Sequence, residues 1–361
     1  MKRFLFCLLI LLVVKDVYAI NYYDLYEEMK SKAVSDKDVD YSLPSKGLEN
    51  GKGIYYMEST KDDKYPVYYF RGDIDNNYLI YHDTCFRILR TTDTGGVKVI
   101  YQGNPIGEMC YDGIDGNMIS IGTSTFNNTN SLVYNGYMYN DLIDKDFKTL
   151  SNDEINVFDS NLKQVTDQWF KSWLEKDNSI MNNIYDEIYC NDREMWTDSY
   201  FMSHKRIGSL PVEIDLSCNR LQDSFTVSDT HGNGKLTYPV GHITADELVL
   251  SGAEYNGLGV TDAFTVVNKY WSMTPHSVTK ILYPNSLNYI NRNNINYSTY
   301  VRPVITLKDA MFHLGDGTSM NPYIIEEYQE VAPETGIELK TLTCFYVLFL
   351  LFFLIKLFYE Y

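Results

Sequence analysis

Apolar residues follow three patterns along this chain. They are continuous at both ends, alternate with polar residues over several stretches, and recur every three to four residues in the middle. The first continuous run is Phe4 to Val14, with no polar residue inside it. Lys2 and Arg3 precede it, and the small-residue site Val17-Tyr18-Ala19 follows. A basic start, an apolar stretch and a small-residue site make a secretory signal, removed after Ala19. The second run, Leu342 to Ile355, is interrupted only by Thr343 and Cys344. Lys356 can reach the interface while its stem stays apolar, so 342–359 is predicted to cross the membrane once. Tyr359 and Tyr361 would sit in the aromatic belt.

Between these ends the pattern is that of a folded domain. Residues 20–65 read as a short helix, Asp24 to Val34 with Asp24 as its N-cap, followed by a polar linker. Strand patterns follow at 65–70, 77–82 and 85–92. Val97, Val99 and Tyr101 alternate with Lys98, Ile100 and Gln102, which predicts a hairpin turning at Gly95-Gly96. Leu162, Val165, Trp169 and Trp173 lie three and four apart, one face of a helix. Thr244-x-x-Glu247 is a capping box, with Ile243 and Leu248 placed to staple across it. Strand and turn patterns return at 263–275, 286–307 and 315–326, and Pro303 marks an edge strand or a strand start. Strands, then helices, then strands predict an α+β fold, one domain over 66–327, followed by a stalk at 328–341.

Charge narrows the partners. The chain carries 31 Lys and Arg against 48 Asp and Glu, a net −17. Its two ends are on balance basic, so the domain between them is more acidic still. Such a surface repels nucleic acid and is compatible with divalent cations, neutral glycans and basic partners. Of six cysteines, four lie between the ends: Cys85, Cys110, Cys190 and Cys218. An even number in an exported domain favours disulfides, with three connectivities open. Proximity favours Cys85–Cys110 and Cys190–Cys218. A zinc site fits poorly, because no CxxC pair occurs and no His follows a Cys at ligand spacing.

Candidate chemistry is sparse. The six histidines are scattered, and neither His-Glu-x-x-His nor Gly-x-Ser-x-Gly occurs. Asp112, Asp115 and Asn117 offer oxygen ligands in a Gly-rich loop, a calcium candidate without the EF-hand spacing or its closing Glu. No other cofactor is indicated. Arg71-Gly72-Asp73 reads as a turn between two strands. The 32 tyrosines exceed what a core of this size absorbs. Tyrosine stacks on sugar rings and donates a hydroxyl, so Tyr270, Trp271, Trp196 and Tyr289 are the expected lining of a recognition surface. The competing reading of "YWSM" is a buried strand.

Pro333-Glu334-Thr335-Gly336, just before the apolar run, resembles the Gram-positive sorting signal that a sortase cuts between Thr335 and Gly336. Ala332 stands where that motif has Leu, and no basic cluster follows the run. Simple retention by the span is therefore the alternative attachment. "CFRILRTTDTGGVKVIYQG", "YCNDREMW", "LTYPVGHITADELVLSG", "YWSMTP" and "YVRPVITLKDA…GDGTSMNPYII" occur in the order seen in an uncharacterised family of Gram-positive surface-anchored proteins. This resemblance covers roughly Asp24 to Glu326. It implies the same two disulfide pairs and a fold distantly similar to C-type lectins and formylglycine-generating enzymes. The calcium-binding tripeptides of those lectins are missing, and pairing of all four cysteines leaves none for the enzymes' active site. The expectation is a non-catalytic binding or adhesion module for a glycan or protein, displayed on the membrane or wall. The alternatives are an extracellular carbohydrate hydrolase or thiol oxidase, or a purely structural wall protein.

Overall fold

A computed structural model describes residues 22–43, 53–57, 65–142, 145–255, 263–266, 268–285, 289–308 and 310–325. The signal with its Ala19 site, the stalk with Pro333, Thr335 and Gly336, and the 342–359 span lie outside these residues. All described residues belong to one unit. The longest helix among them has 14 residues, and none is long and apolar enough to cross a membrane.

The fold is α+β. Its main sheet contains β1 (Tyr23–Asp24), β2 (Val34–Ser35), β3 (Ile54–Met57), β4 (Val67–Phe70), β5 (Tyr78–Tyr81), β6 (Thr84–Thr91), β7 (Val97–Gly103), β8 (Val304–Leu307), β9 (Met311–Phe312) and β10 (Tyr323–Ile325). The order is β1-β9-β10-β5-β6-β4-β3-β2, and β7 joins β6 to β8. Because β7 runs along β6 from Cys85 to Thr91, β5 and β4 must share the opposite edge. β5 takes Thr84 to Arg87, and β4 pairs at Arg90. The β1–β9 pair, Tyr23 opposite Phe312, joins the two ends of the domain.

The predicted hairpin forms, with Thr91 opposite Val97 and Gly95 at φ +88° in the turn. Although Lys98 and Gln102 alternate with apolar residues, neither face of the hairpin is wet. Every residue of β6 and β7 is buried, Lys98 and Gln102 included. Helices cover both faces. The helix predicted around Trp169, α3 (Asn161–Leu174), packs Trp173 on Phe86 and Trp169 on Tyr101, with ring centroids 5.8 and 5.5 Å apart. On the other face, Lys98 and Arg90 reach Glu247 of α5 (Ala245–Leu250).

The remaining helices are α1 (Leu25–Lys32), α2 (Asn152–Ile155) and α4 (Met202–Gly208). Asp24 caps α1 as predicted, its carboxylate accepting from the Tyr26 amide at 2.9 Å. β8 begins immediately after Pro303, as expected where proline cannot donate to a ladder. Of the strand and turn pattern over 263–275, the described residues form a turn at Phe264 and Thr265 and no strand before Pro275. A strand starts only at Pro275, in a three-stranded sheet with 280–284 and 290–294. The segment is held by isolated backbone bonds to Tyr300, Ile243 and Leu282, and the Ser272 hydroxyl donates to the Leu282 carbonyl and accepts from the Thr274 amide.

Candidate functional site

The capping box at the start of α5 organises the main cleft. One Glu247 oxygen accepts from the Thr244 amide at 2.9 Å, closing the box. The other accepts from Arg90 Nε at 2.8 Å and Lys98 Nζ at 2.7 Å. Burial alone would raise the Glu247 pKa, but Lys98 and Arg90 outweigh it and hold the carboxyl down at about 2. Burial pulls the Lys98 pKa downward, opposed by Glu247.

Next to this triad, Arg206 of α4 joins two carboxylates. Its Nε and Nη2 donate to Asp246 at 3.0 and 2.8 Å, and Nη2 also donates to Asp192 at 2.7 Å. One guanidinium does not neutralise both acids. Burial raises the Asp192 pKa to about 7, with Arg206 opposing and Asp246 adding to the rise. Asp192 also adopts a left-handed backbone, φ +49°, which costs energy in a residue with a Cβ. Its neighbours pin it there. Asn191 accepts from the Tyr137 amide and donates to the Met273 carbonyl, while the buried Arg193 is paired with Asp223 at 2.7 Å.

These groups surround a cavity of about 490 Å³, whose outer wall includes Tyr65, Tyr185, Asp93 and Thr94. A second cavity of about 350 Å³ adjoins it, and both are lined by Cys190, Asp192, Arg206, Asp215, Ser217 and Cys218. The Cys190–Cys218 disulfide therefore forms part of both walls. It and Cys85–Cys110 are the pairs expected, with Cα atoms 5.7 and 5.8 Å apart. All four cysteines are thus paired, which leaves no free thiol among the described residues.

The expected aromatic lining is divided by the fold. Tyr270 and Trp271 are wholly buried. The Tyr270 hydroxyl donates to the Thr265 carbonyl at 2.8 Å, and its ring lies 4.9 Å from the Arg302 guanidinium. Trp271 Nε1 donates to the Ser124 carbonyl at 2.9 Å. Neither ring meets solvent, so the expected surface is not built from them. Their apolar area is used in the core, as in the competing reading of "YWSM". Tyr289 is half-buried, and Trp196 is 45% exposed.

Trp196 lies 6.0 Å from His204, beside Tyr200, His276 and Tyr255. The Tyr255 hydroxyl is 2.9 Å from His276 Nε2, and burial lowers the His276 pKa to about 3. These residues do not line the cleft.

In the calcium candidate loop, Asp115 accepts from the Asn117 amide and side chain at 3.0 and 3.1 Å, a self-contained turn. Asp112 is exposed and lies 3.5 Å from the Ser319 hydroxyl. Among the described residues no group of three or more His, Cys, Asp or Glu side chains is arranged to hold a metal. Arg71 of the Arg-Gly-Asp turn is buried, donating to the Val249 and Leu250 carbonyls at the end of α5.

Sequence reasoning missed Arg90, Lys98, Asp192, Arg206 and Asp246. The capping box was the only signal to reach Glu247, and it reported a helix start rather than an ion pair.

Fold and cleft together define a disulfide-stapled α+β domain with two adjoining polar cavities. No family model matches the chain, and no curated protein or solved structure matches it.

Proposed function

We propose that the protein is a surface-displayed binding module, non-catalytic, whose cleft receives a glycan or a segment of another protein. The observation that carries this reading is the 490 Å³ cavity itself. Its floor is made of charged groups already held by one another, its wall is cross-linked, and half-exposed tyrosines stand at its side. A preformed cavity with a few fixed polar groups is the usual form of a binding site. The reading includes export by the 1–19 signal and display on the outer face of the membrane or wall. The 342–359 span or a sortase acting at Thr335-Gly336 provides the attachment. It also includes a C-type-lectin-like arrangement, supported by the β1–β9 pairing of the domain's ends.

The test is a screen of the full chain against glycans and matrix proteins, repeated with Tyr185→Ala. A ligand whose affinity falls about tenfold in the variant, with thermal stability unchanged, supports the cleft. A screen without hits, or hits indifferent to Tyr185, overturns it. Asp192 favours a second reading, a carbohydrate hydrolase, because an acid with a pKa near 7 in a cleft is suited to proton transfer. Release of reducing ends from a polysaccharide in the same screen, abolished by Asp192→Asn, would replace binding with hydrolysis.

A further inference from the structure

We propose that Cys190 is a site of thiol–disulfide exchange, and that cleaving its bond to Cys218 frees a strap, residues 209–220, that walls both cavities. The inference goes beyond the binding reading and holds whatever the cleft receives. It starts from a contrast between the two disulfides. Cys85 and Cys110 are buried and pack with Tyr78 in a small cluster of their own. Cys190 is half-buried and, like Cys218, lines both cavities. Exchange requires a thiolate to reach a disulfide sulfur, so access separates the two bonds.

What the Cys190–Cys218 bond holds is the second observation. From Ser209, just after α4, to Arg220 the chain forms neither helix nor strand, and of these residues only Cys218 is buried. Residues 213–220 each line one cavity or both. Among the described residues, 209–219 make one backbone–backbone hydrogen bond, from the Glu213 amide to the Arg206 carbonyl at 3.1 Å. Side chains add two more ties: the Asp215 amide donates to Asp246 at 3.0 Å, and the Ser224 hydroxyl donates to the Cys218 carbonyl at 2.9 Å. Val212 and Ile214 lean on the core without being enclosed by it. A segment with so few buried contacts and backbone bonds opens at low cost, which leaves the disulfide as its principal fastening. At the far end Arg220 donates to the Arg193 carbonyl and pairs with Asp223, and there the loose segment stops.

The exchange takes two steps. An external thiolate attacks Sγ of Cys190, the more exposed residue of the pair, and forms a mixed disulfide with it. Cys218 leaves as a thiolate and takes up a proton. A second external thiolate then attacks the external sulfur of the mixed disulfide and expels Cys190. Two thiols are thereby oxidised to one disulfide, and the protein's disulfide is reduced to two thiols. The strap loses its cross-link and the cavities lose their shared wall, while the main sheet and the Cys85–Cys110 pair stay in place.

The experiment treats the full chain with dithiothreitol at about pH 8 without denaturant, where thiolate is plentiful. Thiols are trapped with iodoacetamide at intervals and located by peptide mass. Cys190 and Cys218 are expected to be labelled at least about tenfold faster than Cys85 and Cys110. Hydrogen exchange on the same samples should rise over 209–220 while β6 and β7 stay protected. A Cys190→Ser/Cys218→Ser variant should show that exchange pattern without reductant, and if it fails to fold the reduced parent carries the test alone. Equal labelling of the two pairs overturns the inference. So does labelling that begins only when β6 and β7 also exchange, or a strap whose exchange is unchanged once Cys190 is labelled. No ligand enters these readouts, so failure here and failure of the binding reading are told apart.

Discussion

Glu247 does three jobs with one carboxylate: it closes a capping box, and it pairs with Arg90 and with Lys98. Removing it strands two buried cations, so Glu247→Gln should cost about 3–5 kcal/mol in urea unfolding. Because its folded pKa is depressed from 4.5 to about 2, its contribution is complete above about pH 4.5 and fades as pH falls towards 2. A variant as stable as the parent at neutral pH would show that the triad is not the support described. Asp192 works in the opposite sense. Its folded pKa is raised from 3.8 to about 7, so the protonated form is favoured in the native state. The resulting stability is present below about pH 4 and lost as pH rises through 7. Asp192→Asn should therefore gain on the parent between about pH 4 and pH 8, read as melting temperature against pH. An unchanging difference across that range would contradict the assignment. Only part of this was legible in sequence. Thr244-x-x-Glu247 announced the cap because cap partners are three residues apart. Arg90 and Lys98 are 157 and 149 positions from Glu247, and no local pattern reports a contact at that separation.

At the scale of elements, the most informative difference lies in β7. Its polar and apolar residues alternate, yet α3 and α5 cover the sheet on both sides and bury Lys98. Alternation shows which residues share a face, and only the neighbouring layers decide whether that face meets water. The disulfides were easier to read, because partners 25 and 28 residues apart close short loops. The loop-entropy model assigns each about 3.5 kcal/mol of stability. Their consequences for binding should differ. Cys190–Cys218 lines both cavities, whereas Cys85 and Cys110 form a small cluster with Tyr78. Replacing Cys190 and Cys218 by Ser should weaken ligand binding as well as lower the melting temperature. The Cys85/Cys110 double variant should lower the melting temperature alone. Equal losses of affinity in both would separate the cleft from its disulfide wall.

At the scale of the whole molecule, the net −17 is a surface property. The long-range field of such a surface favours basic partners and repels nucleic acid. Buried arginines tie distant parts of the fold together. Arg302 sits 1% exposed, donating to the Tyr101 carbonyl and to Gln102, and Arg193 is likewise enclosed. Such side chains fasten segments far apart in sequence, Arg302 across about two hundred positions. The β1–β9 pair does the same for the domain's two ends.

The chain's own pattern was enough for the α+β class, the helix caps, the hairpin turn and the strand start after Pro303, and proximity favoured the disulfide pairs among three open connectivities. All of these rest on residues close together, where spacing and backbone preference act directly. It did not reveal that Tyr270 and Trp271 belong to the core, that Lys98 is enclosed, or that Asp192 and Arg206 meet at a cleft. Whether a ring stacks on a ligand or on its own core depends on which distant segment lies above it. The partners of a buried charge are likewise chosen by packing across the whole fold.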